Sequence, residues 1–203
     1  MFAAIPLVFA AQQATEGLVW LTLNGSHGTL NRIAATVFLG IALIIWPVWT
    51  PLALELAERN ARRRSLLRAL CWAGVGVAVC ASVLLTRRAP SASVVGHSIR
   101  YDFAEIGASP LHGLSVLAYV ASTALPWFAS TIRYGRALGS ALVFSCVVSA
   151  LIQRQTLTSV WCFFAAVLSG FILFVLERER RARRVAVSTD VKGQRPRNAP
   201  LRR

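Results

Sequence analysis

The stretch FAAQQATEGLVW, residues 9–20, places Gln12, Gln13 and Glu16 close together inside an otherwise apolar run. On a helix Gln12 and Gln13 lie at i−4 and i−3 from Glu16, and Trp20 lies at i+4, so Gln12, Glu16 and Trp20 stripe one face with Gln13 at its shoulder. Such a set can hold a small molecule or ion, accept a proton, or join helices by hydrogen bonds. A carboxylate in a bilayer costs roughly 2.5–3.5 kcal/mol on insertion scales, while an interhelical hydrogen bond returns about 0.6–2 kcal/mol. Glutamine or serine would join helices at lower cost. The choice of glutamate therefore favours a ligand site, with Glu16 pointing inward.

The other reactive side chains are scattered. HSIRYD brings His97, Ser98, Arg100, Tyr101 and Asp102 together in sequence, and Glu105, His27 and His112 fall in neighbouring loops. None of these makes an HxxxH or HExxH spacing, so no metal site is expected. There is no GxSxG, P-loop or GxGxxG signature and no cofactor motif, and a charged, aromatic loop packed over a pocket is the simpler reading of HSIRYD. Cys71, Cys80, Cys146 and Cys162 form no CxxC pair and read as small apolar residues in helices.

The elements that must position these groups follow from composition. The chain has 203 residues, 56% of them hydrophobic and only 15% charged, which is more apolar than an ordinary soluble domain. A bilayer span needs roughly 20 apolar residues, and six segments approach that length: about 2–23, 33–56, 69–86, 113–131, 137–152 and 157–176. The runs are continuous rather than alternating, so the expectation is an all-α transmembrane helical bundle over residues 1–184, not a β-barrel. Pro47 and Pro51 in IIWPVWTP predict a kink around residues 43–51. Residues 87–112 form the longest connection, and VVGHSIRYDF within them reads as a short strand or an interfacial segment.

Arginine placement orients the bundle. Arg59, Arg62, Arg63, Arg64, Arg68, Arg133, Arg136 and the ten basic residues beyond Leu176 fall on one side if the helices alternate, 17 of the 22 Lys and Arg in all. Arg32, Arg87, Arg88, Arg100 and Arg154 fall on the other. The positive-inside rule then puts both termini in the cytoplasm and the histidine-bearing loop outside. The net charge of +14 thus has a topological origin. The basic tail, residues 185–203, is expected to lack structure and to meet anionic lipid headgroups; nothing in it indicates nucleic-acid binding. Twenty-one arginines against one lysine indicate a GC-rich bacterial genome, the first apolar stretch lacks the basic start of a cleavable signal peptide, and the expected location is the bacterial inner membrane.

Four blocks carry a resemblance: IPLVFAAQQATEGLVW, WPVWTPLAL, HSIRYDF and SVWCFFAAVLS, in this order over residues 3–175. Together they resemble an uncharacterised bacterial membrane family, domain of unknown function 6629. The resemblance implies architecture and little chemistry, and it implies a further helix ahead of the first block, seven in full-length relatives. It draws attention to Gln12, Gln13, Glu16 and Trp20, to Trp46, Pro47, Trp49 and Pro51, to His97, Arg100, Tyr101 and Asp102, and to Trp161 with Cys162. Topology puts three of these blocks near the outer side. The expected site is an outward-facing polar pocket around Glu16, in which Glu16 pairs with Arg100 or takes a proton. A small-molecule or ion transporter component or a ligand-binding sensor fits this; a membrane-embedded hydrolase and a structural subunit with a homo-oligomeric or membrane partner are the alternatives.

Overall fold

The computed structural model describes residues 4–23, 28–102, 110–152 and 157–193. His27, Glu105, Arg154 and the last ten residues lie outside them, and His112 lies in a helix with its side chain outside the described set.

The described residues are mostly helical. Helix α1 spans Ile5–Thr22, opened by Pro6 in its first turn, where a missing N–H costs nothing. Then α2 (Gly28–Gly40), a π-helical turn (Ile41–Ile45) and α3 (Trp46–Ala57) run on as one continuous helical stretch. Helix α4 covers Ala61–Arg87, α5 Pro110–Ala129, α6 Gly135–Ile152 and α7 Leu157–Gly193. Each of these six helical rods overlaps one of the six apolar segments of the sequence. Two of them, Gly28–Ala57 and Ala61–Arg87, are long and apolar enough to cross a membrane.

Packing closes the rods into a bundle. Helix α1 lies between α2 and α7, α6 between α5 and α7, and α3, α4 and α5 each pack on the other two. At one end Ile5, Trp46, Leu54, Leu67, Trp127 and Leu138 form a buried cluster. At the other end Val19, Ala34 and Ala35 meet Ile99 of the α4–α5 connection. Between them Phe38, Leu39 and Ala42 pack on Cys162.

That connection is a β-hairpin, β1 (Ser91–Val95) with β2 (Ser98–Asp102), paired antiparallel from Ser91↔Asp102 to Val95↔Ser98. Gly96 opens its two-residue turn at φ 62°, as a type II′ hairpin turn requires. Strand alternation then sorts the side chains. Ile99 and Tyr101 face the bundle, where Ile99 is fully buried and Tyr101 stacks on Phe38 at 4.8 Å. Arg100 and Asp102 take the opposite face.

Three sequence-based expectations change. The irregularity of the second rod begins at Ile41, a turn before the prolines: Trp46 N–H bonds to Ile41 O in the π register. Helix α4 starts at Ala61 rather than 69, because Asn60 caps it by accepting from Arg63 N at 3.1 Å. Helix α7 continues to Gly193, so the basic segment expected to lack structure from 185 is helical that far. Its polar part is rich in strong helix formers and carries an i,i+4 pair, Arg181 Nε to Glu177 Oε1 at 2.9 Å.

Candidate functional site

Helix α1 supplies the centre of the site. Ile5, Gln12, Glu16 and Val19 share its buried face, and each meets a different layer of the bundle. Gln12 is fully buried and satisfied at both ends: its Oε1 accepts from the Trp46 indole at 2.6 Å, and its Nε2 donates to the Cys162 sulfur at 3.0 Å. It ties α1 to α3 and α7.

One turn towards the hairpin the pattern reverses. Glu16 is 6% exposed, and the side chains that bear on its carboxyl are Ser159 of α7, Gln13 of α1 and Tyr101 of β2. Yet Glu16 Oε1, Gln13 Nε2 and the Tyr101 hydroxyl are each buried without a hydrogen-bond partner. Burial, reinforced by the neighbouring Glu16 and Cys162, pushes the Tyr101 hydroxyl far above its ordinary value, so it keeps its proton at any physiological pH. The carboxyl oxygen and the two side-chain groups beside it are thus close together without a hydrogen bond of good geometry, although buried polar groups are nearly always paired.

Below Gln12 lies a cavity of about 60 Å³ lined by Phe9, Trp46, Tyr119, Trp127 and Trp161 among others. Phe9 stacks on Trp46 at 4.0 Å, and Tyr119 meets Trp161 edge-on at 5.6 Å. The polar atoms of this wall are turned to the protein. Trp161 Nε1 donates to Leu142 O at 3.3 Å and the Tyr119 hydroxyl donates to Ala42 O at 2.9 Å. The Ala42 carbonyl is free for Tyr119 because the π register takes Trp46 N–H to Ile41 and Pro47 has none to offer.

Of the residues singled out from the sequence, Gln13, Glu16 and Tyr101 come together under the hairpin, Gln12 bonds to Trp46 and Cys162 in the cavity wall, and Trp161 lines the cavity itself. Trp20, His97, Arg100 and Asp102 do not. Trp20 is 39% exposed on the outside of α1, because each i to i+4 step overshoots a full turn by about 40° and carries it off the Glu16 face. His97 stands exposed in the hairpin turn. Arg100 is not the partner of Glu16: strand alternation turns it outward, where its Nε pairs with Asp102 Oδ2 at 3.2 Å.

Ser159 was not singled out, and only its place three residues before Cys162 on α7 hinted at it. A polar network at the basic end was also missed. Glu58, 5% exposed, accepts from Arg59 N and Asn60 N at 3.0 Å, Thr131 N at 2.7 Å and Thr131 Oγ1 at 3.0 Å. Arg68 bonds Glu55 at 2.9 Å, and Arg63 Nη1 bonds Ala129 O at 3.1 Å at the end of α5. Part of the arginine run is therefore structural.

Among the described residues no three His, Cys, Asp or Glu side chains converge as metal ligands, and the four cysteines are free thiols. Searches of the curated proteins and of the solved structures return no match to the chain. A family model does match, across residues 1–188 and hence all four blocks on which the resemblance rests, and by that match the chain belongs to DUF6629, a family of unknown function.

Proposed function

We propose that the chain is a multi-pass protein of a bacterial inner membrane that binds a small polar molecule or ion in the space beneath its hairpin, as a transporter component or a ligand-binding sensor. The observation that carries the binding site is the buried trio Glu16 Oε1, Gln13 Nε2 and Tyr101 OH, which the protein itself leaves unmatched. Each such group costs about 1–3 kcal/mol when left unsatisfied, so a polar ligand that met them would be favoured.

The membrane setting is supported by what the helices show outward. Leu7 and Leu21 of α1, Trp72 of α4, and Phe144 and Leu151 of α6 are each at least 70% exposed. Soluble proteins rarely present contiguous apolar surface on that scale. The concentration of arginine at the end away from the hairpin supports a cytoplasmic C-terminus and contact there with anionic headgroups.

The test is ligand-dependent stability of the purified full chain in detergent, screened against small polar solutes. At least one solute should raise the thermal midpoint of the wild type and not that of Glu16→Gln or Tyr101→Phe, while Arg100→Ala should respond like the wild type. If no solute distinguishes them and both substitutions leave stability unchanged, the pocket is not a ligand site.

A further inference from the structure

Below Gln12 the bundle keeps a space that its own side chains do not fill, and the lining and shape of that space describe what enters it. We propose that the cavity walled by Phe9, Trp46, Tyr119 and Trp161 is a slot for the end of one unbranched acyl chain of a membrane lipid. The slot rests on the membrane setting proposed above and is separate from the ligand site beneath the hairpin.

The first argument is polarity. The wall holds polar groups, but their hydrogens are spent inside the protein. Trp46 Nε1 donates to Gln12 Oε1 at 2.6 Å, Thr123 Oγ1 to Tyr119 O at 2.8 Å and Ser169 Oγ to Ala166 O at 2.6 Å, as Trp161 and Tyr119 donate to Leu142 O and Ala42 O. Among the hydroxyls of the wall this leaves Thr50. A buried water needs about two to four hydrogen-bonding partners, so water and polar solutes are poorly served here. Phe9, Leu138, Leu142 and Ala165 complete the wall with carbon. A hydrocarbon guest gives up no hydrogen bond on entering and leaves less apolar surface unfilled.

The second argument is shape. The lining runs along α5 from Tyr119 to Trp127 and along α7 from Trp161 to Ser169, and eight residues of helix rise about 12 Å. A volume of about 60 Å³ drawn out over that length is one chain wide, whereas a benzene ring is known to occupy a cavity of about 150 Å³. The slot is not sealed. On the hairpin side the bonds of Gln12 with Trp46 and Cys162 close it. Ile5, Trp127 and Leu138 stand at its other end, towards the arginine-rich end of the bundle. The slot runs with the helices, as acyl chains run in a bilayer, so a tail enters tip first and leaves its headgroup at the arginine end.

The probe is phosphatidylglycerol whose acyl chains carry a bromine on the terminal carbon, added to the purified full chain in a sterol-based detergent that has no alkyl tails. Bromine quenches tryptophan fluorescence at short range, and Trp46, Trp127 and Trp161 line the slot. The expected result is a saturable quench, stronger than with the bromine placed beside the carbonyl. Ala165→Leu and Ser169→Leu each fill part of the slot and should weaken the apparent affinity about tenfold or more; two positions keep the test decisive if one variant does not fold. Quenching of the outward Trp20 and Trp72 is common to all three proteins and cancels in the comparison. Equal quenching of the wild type and both variants overturns the slot. A quench by terminally brominated fatty acid or by bromobenzene, with none by the phospholipid, overturns the lipid as its occupant. If the chain sediments with the membranes of lysed cells and no slot-dependent quench appears, this inference falls alone; if it stays in the soluble fraction, the membrane setting falls and takes this inference with it.

Discussion

Glu16 and Glu58 are buried to nearly the same degree, at 6% and 5% exposure, and they live in opposite surroundings. Burial works against the charged form of Glu58, but the bonds from Asn60 N, Thr131 N, Thr131 Oγ1 and Arg59 N outweigh it and hold the carboxyl below its ordinary 4.5. A group whose value is depressed on folding contributes stability that is present above the unfolded value and lost as pH falls through the folded one. The wild type should therefore lose stability on acidification below about pH 4.5 by more than Glu58→Gln does, read from thermal midpoints on both. At neutral pH Glu58→Gln should cost about 1.5–3 kcal/mol, the range for a hydrogen bond to a charged group. Equal pH profiles for the two proteins would remove Glu58 from the acid response. Glu16 has no such backbone donors; the groups that bear on its carboxyl are the side chains of Ser159, Gln13 and Tyr101.

At the scale of elements, two junctions define how the rods fit. Gly74 of α4 lies against the carbonyl of Pro47, and a methyl group at position 74 would overlap that oxygen. The carbonyl is exposed to this approach because Pro51, four residues on, has no N–H for it. Gly74→Ala should accordingly destabilise by about 1–3 kcal/mol or more, since backbone rather than a flexible side chain must yield. Gly76→Ala, with nothing within 4 Å, should be neutral or mildly stabilising. Thermal melts of the two variants decide it: equal effects would mean that the close approach is not tight. The second junction is the Tyr119 bond to Ala42 O. Tyr119→Phe should cost about 0.5–1.5 kcal/mol, and less in a Pro47→Ala background, where the new N–H can serve the same carbonyl. A double-mutant cycle with additive costs would show that the π turn and Tyr119 are not coupled.

Across the whole molecule, the two ends differ in kind. The hairpin end carries the buried Glu16, Gln13 and Tyr101, and the opposite end carries Glu55, Glu58, Arg63 and Arg68 in a satisfied network that joins the α3–α4 and α5–α6 turns. The bundle is thus clamped by fixed ion pairs at one end and capped at the other by a two-stranded hairpin seated on Val19, Ala34 and Phe38. If it spans the membrane as proposed, cysteines introduced at His97 and Arg62 should differ in access. In intact cells a membrane-impermeant maleimide should label His97→Cys but reach Arg62→Cys only after permeabilisation. Labelling of both from the same side would overturn the alternating topology.

The rods were legible in the sequence because each announces itself locally: a continuous apolar run, a proline at a first turn, arginines between runs. Glu16 and Gln12 on the buried face of α1 were legible for the same reason, since helical spacing and the cost of a charge in an apolar run are properties of neighbours. What the tertiary structure alone decided are partnerships between distant residues. Gln12 meets Cys162, Glu58 meets Thr131, and Tyr119 meets Ala42. The hairpin is the sharpest case. Arg100 and Tyr101 are adjacent in sequence and chemically plausible partners for Glu16 alike. A strand with a period of two must send one inward and the other out, and which of them faces in was fixed by where Ile99 and Tyr101 could be buried, against α1, α2 and α7.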